Sequence, residues 1–341
     1  MLKLSKLSKK NLLWLIVPFL IAAVGYYARA RQDITLQKVI IAVPLQVSGG
    51  AFYVGQHHQL FEGNSIDLQL RDFKLGKDAL AAMLAGQADL AVVADVPAML
   101  SISRDQNIAI VAVVYSSRHA AALLVRADHG IGSVRDLPGR TVATVGGTNV
   151  EYMLDKMLTR HHVERAGLQL RTLTPAAMTE AFRRGEVDAI TSWQPDLARL
   201  QVELGAKVVA LHDPEMFVYR FLLVGKRDFI FTHQPQMRGV LAALDASSVA
   251  MREEPDMAIG IVGRKIGLEA LELRRFFDAN DYRLVLDQSL LVALDDQTRW
   301  AMGRSMIPVK PIPNYLDFIM RGPLQTVLPA ADRMIVSAPP Q

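Results

Sequence analysis

Two stretches of this chain, AMLAGQADLAVV (82–93) and AFRRGEVDAITS (181–192), are one unit written twice. Each ends a helical pattern, places a glycine (Gly86, Gly185) and then an aspartate three residues on (Asp89, Asp188), and enters a short apolar run. Each run continues into a proline-led segment, ADVPAML in the first copy and SWQPDLA in the second. Glycine stops helices and proline suits their first turn, so each copy reads helix, strand, helix start. A repeat of this kind asks for two similar α/β lobes. If the lobes face each other, the C-terminal ends of their strands share one crevice, which is where open α/β sheets bind ligands.

The rest of the chain is consistent with that frame. Strand-like runs stand at 38–43, 66–73, 88–94, 108–115, 140–145, 168–173, 187–191, 207–212 and 219–225. Helical patterns alternate with them, as in KDALAAMLAG, where Ala79, Leu80, Met83 and Leu84 share a face. Alternating strands and helices predict an α/β fold with mainly parallel sheets. From about 234 to 304 the pattern turns mostly helical.

Two turns between a strand and a helix are rich in glycine. After RTVATV comes GGTNVEYM (146–153), and after KVIIAV comes PLQVSGGAFYVGQ (44–56). Free N–H groups and the positive end of the helix dipole favour an anion at such a place. The same residues have a second reading, because Thr148-x-x-Glu151 spells a capping box that satisfies the amides without a ligand. Gln46, Ser48 and the amides of Gly49 and Gly50 offer donors in the other turn, which also reads as a plain turn. Asp95 stands at a strand end as a ligand group or an N-cap. Trp193 and Gln194 stand at the matching end, the tryptophan as pocket wall or core.

Reactive constellations are absent from the pattern. No Gly-x-Ser-x-Gly elbow, dinucleotide fingerprint or P-loop occurs. The pairs His57-His58 and His161-His162 have acidic neighbours, Glu62 and Glu164, but a zinc site needs a further ligand, so they read as solvated helix ends. The chain has no cysteine, which removes disulfides, thiolate metal sites, cysteine nucleophiles and a lipid-modified cysteine at the N-terminus. No catalytic residue, metal or cofactor is expected. The site reads as one that binds.

Net charge is +4, but residues 1–31 hold Lys3, Lys6, Lys9, Lys10, Arg29 and Arg31 and no acid. Without those six bases, 32 remain against 34 acids, about −2, and no basic stripe suggests nucleic acid. The four lysines precede an apolar run from Leu12 to Val24, with small residues at Ala28 and Ala30. That is the pattern of a secretory signal cleaved after Ala30, or of an uncleaved anchor in the inner membrane. Either places the rest of the chain in the periplasm or on the outer face of that membrane.

The run SVRDLPGRTVATVGGTNVEYMLDKML, then LTPAAMTEAFRRGEVDAITSWQPDLARL, and ALAAMLAGQADLAVVADVPAML before both, together resemble one family over about residues 38–320. It is the aliphatic sulfonate, nitrate and taurine group of periplasmic solute-binding proteins serving ABC importers, related to thiamine-precursor binders. The resemblance implies a type II periplasmic-binding fold, with lobe 1 over 38–125 plus 221–330 and lobe 2 over 126–220, closing on a ligand by a hinge. It implies ligand contacts from Gln46, Ser48, Gly49 and Asp95 on one side and from Gly147, Thr148, Asn149, Trp193 and Gln194 on the other. A permease and its ATPase are the implied partners, and a small organic anion the implied ligand. A membrane-anchored solute sensor of the same fold is the alternative. Two departures stand out. Gln194 replaces a usual acid, which disfavours taurine, and ADVP brings a carboxylate where glycine and Ser or Thr are usual, which disfavours a sulfonate unless that charge is paired.

Overall fold

The computed structural model has two large sheets of matching plan, besides a two-stranded one of Leu286–Asp287 with Asp332–Arg333, and the matching follows from the repeat. Residues 36–104 and 106–335 are described. The leader, with its alternatives of cleaved signal and anchor, lies outside them. Among the described residues no helix is long and apolar enough to cross a membrane.

In chain order the first lobe builds β1 (Gln37–Pro44), α1 (Gly50–His57), β2 (Ile66–Phe73), α2 (Gly76–Leu84), β3 (Leu90–Ala94), α3 (Asp95–Ser103) and β4 (Ala109–Ser117). The chain then crosses over. It makes β5 (Ala121–Arg126), β6 (Thr141–Thr144), α4 (Asn149–Arg160), β7 (Gln169–Thr172), α5 (Pro175–Arg183), β8 (Ala189–Trp193), α6 (Asp196–Leu204) and β9 (Val208–Leu211). It returns as β10 (Tyr219–Gly225), followed by α7 (Arg227–Thr232), α8 (Gln234–Glu253), α9 (Pro255–Ile266) and α10 (Ala270–Phe277). The remaining elements are β11 (Asn280–Asp281), β12 (Leu286–Asp287), α11 (Gln288–Gly303), α12 (Gly322–Val327) and β13 (Asp332–Arg333).

The first sheet runs β11-β4-β10-β3-β1-β2 and the second β7-β6-β8-β5-β9. In each, a parallel pair (β1 with β3, β6 with β8) is followed by an antiparallel strand that has just crossed from the other lobe, β10 or β5. β3, β5 and β8 are buried along their whole length, as strands covered on both faces must be.

The repeat has a physical cause. Asp89 donates its N–H to the Ile40 carbonyl at 2.9 Å, and its carboxylate accepts the Ile40 N–H at 2.8 Å. Asp188 does the same to Thr141, at 2.8 Å in each direction. Each aspartate thus completes the ladder where its strand enters the sheet. The glycine before it, at φ +76° for Gly86 and +71° for Gly185, makes the left-handed turn out of the helix.

One strand corrects the expected lobe boundaries. β5, which the sequence pattern does not mark, pairs with β8 and β9, so lobe 2 begins at Ala121 rather than 126. Likewise Tyr219 and Arg220, assigned by sequence to lobe 2, pair with Ser117 and Ser116 in the first sheet. The two crossovers, 118–120 and 212–218, touch: Arg118 donates to the Pro214 carbonyl at 2.6 Å, and the rings of His119 and His212 lie 6.0 Å apart.

Candidate functional site

Four strands each hand the chain to a helix at their C-terminal ends. β1 leads through Val47–Gly49 into α1, β3 directly into α3, β6 through Gly146–Thr148 into α4, and β8 through Gln194 and Pro195 into α6.

Asp95 and Asn149 meet across the crevice. Asp95 is the first residue of α3 and wholly buried, Asn149 the first of α4 and 1% exposed. The Asn149 side-chain amide donates to Asp95 Oδ1, which also accepts the Val96 N–H at 3.0 Å. The preceding residue, Ala94, holds the N-cap position of α3, so Asp95 is not the cap. Arg220 on β10 brings a guanidinium to 3.9 Å from Asp95 Oδ2 and donates to Ser289 Oγ at 3.2 Å. Gln297, buried on α11, stands close enough to stabilise the charge, but no donor makes a well-aligned bond to Oδ2. Burial pushes the Asp95 carboxyl above its usual range, while Arg220, Gln297, Asn149 and the Val96 amide pull it back without cancelling the shift.

The glycine turn is already occupied, by an anion of the chain itself. Gly147, at φ +68°, donates its N–H to Glu151 Oε2 at 2.8 Å, and Arg165 holds the other carboxylate oxygen at 3.0 Å. The capping box read from the sequence does not form. Glu151 reaches Gly147 rather than Thr148, and the Thr148 hydroxyl donates back to the Val145 carbonyl at 2.6 Å.

The other expected residues are placed as follows. Ser48 is 2% exposed and its hydroxyl has no partner. Gly49 is demanded by packing, because a Cβ there would stand 2.6 Å from the Tyr53 ring. The Gln46 amide reaches only the Lys74 carbonyl, at 3.4 Å. Trp193 is buried at the end of β8. Gln194 turns into its own helix, its Oε1 accepting the Ala198 N–H at 3.1 Å. The structure therefore joins Asp95 to Asn149 and directs the side chains of Gln46 and Gln194 elsewhere.

Sequence reasoning missed Arg220, Gln297 and a row of contacts between α4 and α11. Asp296 accepts from the Tyr152 hydroxyl and from Lys156 Nζ, the latter at 2.9 Å. Trp300 Nε1 donates to Asp155 Oδ2 at 2.7 Å, its ring edge-on to Tyr152. Because α11 also packs on α3, these bonds tie the second lobe to the first. A signal existed for Gln297: Leu290, Leu294, Gln297, Thr298 and Ala301 form the buried stripe of α11, where a glutamine is out of keeping.

Residues 48–258 match the family model described as NMT1/THI5 like. A protein of Escherichia coli (strain K12) named for binding aliphatic sulfonates is 25% identical over 227 residues, 66% of this chain and 71% of its own length. Among solved structures, the periplasmic aliphatic sulphonate binding protein SsuA of Escherichia coli superposes with a TM-score of 0.74 at 20% identity, over 83% of this chain and 97% of that one. The alkanesulfonate-binding protein SsuA from Xanthomonas axonopodis pv. citri, bound to MOPS, gives 0.74 at 19% identity, over 84% and 98%. The fold is that of the periplasmic binding proteins.

Proposed function

The chain belongs to the NMT1/THI5-like family, and from that premise we propose that it is an extracytoplasmic solute-binding protein of an ABC importer, taking a small organic anion between its lobes. The observation that carries the reading is the meeting of Asp95 and Asn149. Two buried polar side chains, each opening a helix, face each other from opposite lobes at the strand ends where open α/β sheets take ligands. The names of the relatives support capture of a sulfonate-like solute; delivery to a membrane permease driven by an ATPase is part of the proposal. The relatives named above are binding proteins, and the chain is read as a binding protein, not an enzyme.

Ligand contacts are assigned to Ser48, Gly49 and Asp95 on the first lobe and to Gly147, Thr148, Asn149 and Trp193 on the second. Isothermal titration of the purified protein against alkanesulfonates, taurine, nitrate and bicarbonate tests the proposal. At least one is expected to bind with micromolar affinity or tighter. Gly147→Leu, strained at φ +68° and directed toward Leu100 and Met306, is expected to weaken that binding tenfold or more with its circular dichroism unchanged. A folded protein that binds nothing in the panel rules these solutes out as the class it captures.

A further inference from the structure

On the first lobe, beside the two crossovers, lies a cavity of about 540 Å³ that shares no residue with the ligand contacts assigned above. Its lining comes from β4, β10, the crossovers, α8, the stretch from Ala279 to Ser289 and the turn from Leu328 to Arg333, and no residue of lobe 2 takes part. One polar row crosses three strands here. Asp281 stands opposite Ser116, and Ser116 opposite Arg220, and residues paired in this way share a face of the sheet.

The cavity is lined by Arg118, Arg220, Arg252, Arg283 and Arg333 against Asp245, Asp281 and Asp287, an excess of two positive charges. The acids are not placed to cancel the arginines one by one. Asp281 is held by Arg283, Nη2 to Oδ2 at 2.6 Å. Burial would raise its carboxyl, but Arg283, with Arg252 nearby, keeps it below the ordinary range. Asp287 is engaged at the start of α11, accepting the Ser289 N–H at 3.0 Å and the Ser289 hydroxyl at 2.6 Å. Arg118, Arg252 and Arg333 meet only neutral groups among the described residues: the Pro214 carbonyl at 2.6 Å, Ser248 Oγ at 2.6 Å and the Ala330 carbonyl at 3.3 Å. A guanidinium with one neutral acceptor keeps most of its five donors, and it holds an oxyanion more strongly than a carbonyl. Between these charges stand Val113, Val218, Leu284, Val285 and Leu328, an apolar wall.

We infer that this cavity is a second binding site, for a small organic phosphate: a dianion of three terminal oxygens on an apolar body. Two negative charges match the excess in the lining, and three oxygens match the three arginines that have no carboxylate. The room left over, with its apolar wall, takes the body. The inference stands apart from the proposed solute capture and does not rest on it.

Titration calorimetry on the full chain at pH 8, where a phosphate monoester is doubly charged, tests it with four probes. Phenyl phosphate is compared with benzenesulfonate (similar shape, one charge), with phthalate (two charges, no tetrahedral group) and with inorganic phosphate (no apolar body). Phenyl phosphate is expected to bind at least tenfold tighter than each of the others. The double variant Arg252→Gln with Arg333→Gln, both at exposed positions, is expected to weaken it tenfold or more and to leave the affinity for any sulfonate of the earlier panel within twofold. Gly147→Leu, in the other site, is expected to leave phenyl phosphate unaffected. The inference is overturned if any of the three comparison probes binds as tightly as phenyl phosphate, or if phenyl phosphate does not bind at all. Affinity that survives the arginine variant, or is lost with Gly147→Leu, places the phosphate elsewhere and overturns it too. An arginine variant that loses the panel's sulfonates as well makes the cavity part of the solute site, not a second one.

Discussion

Asp95 is a carboxylate with no exposure to water, and its folded-state pKa lies above the ordinary value because burial outweighs the help of Arg220, Gln297, Asn149 and the Val96 amide. A raised acid costs stability at pH values above its folded pKa, and the cost disappears as pH falls toward the unfolded value near 3.8. Asp95→Asn, of the same shape but uncharged, is therefore expected to melt higher than the wild type at pH 7 to 8, by about 2 °C or more. The gap should close as the pH approaches 4. Asp188, Asp281 and Asp296 shift the opposite way. Burial raises each, but hydrogen bonds and charges from His129, Arg283, and Tyr152 with Lys156 outweigh it. Their contribution is held above about pH 3.8 and lost below it, so it does not enter the difference between variant and wild type across the upper window. Melting curves from pH 4 to 8 check this. A variant that melts lower than the wild type at pH 7.5 would mean that the pairing with Arg220 is worth more than the burial costs. The residue would then be holding the fold as well as facing the crevice.

At the level of elements, the glycine–aspartate unit makes a prediction in duplicate. Asp89→Ala and Asp188→Ala each strip a backbone N–H of its acceptor, on β1 and β6 respectively. Each should cost about 1–3 kcal/mol in urea unfolding, from the unpaired amide. The two sites lie in different sheets and share no partner, so the double variant should cost the sum. A loss below about 0.5 kcal/mol at either site would reduce the repeat to a coincidence of turn residues. The unit was legible because everything in it is local: glycine, aspartate and strand follow one another within a few residues. β5 was not legible, since AALLVR alternates neither as a strand nor as a helix and gains its identity from β8 and β9. Arg220 suffered from the same blindness. It is an ordinary second residue of YRFLLVG until β10 is seen to run antiparallel beside β3, with Phe221 opposite Ala94. The glycine turn reads from the sequence as a place for a ligand anion or for a capping box, and only the pairing shows that Glu151 turns to the Gly147 amide.

For the whole molecule, a row of side-chain contacts joins the two lobes: Asn149 with Asp95, Tyr152 and Lys156 with Asp296, and Trp300 with Asp155. Contacts of this kind, if they are made with and without a solute, favour closure of both states alike. They therefore set how fast a solute enters and leaves, and have little say in how tightly it is held. Tyr152→Phe with Trp300→Phe removes two of the hydrogen bonds between α4 and α11 and keeps aromatic rings in place. At about 1 kcal/mol each, the pair shifts the opening equilibrium by about 2 kcal/mol, or about thirtyfold. Stopped-flow binding of the tightest solute of the panel should then show association and dissociation both accelerated severalfold or more, with Kd changed less than threefold, and small-angle scattering of the unliganded variant should give a larger radius of gyration than the wild type. Unchanged association would mean that solute does not wait for these contacts to part. A Kd weakened in proportion to the lost bonds would mean that the unliganded protein is mostly open in solution and that solute binding, not the α4–α11 row alone, draws the lobes together.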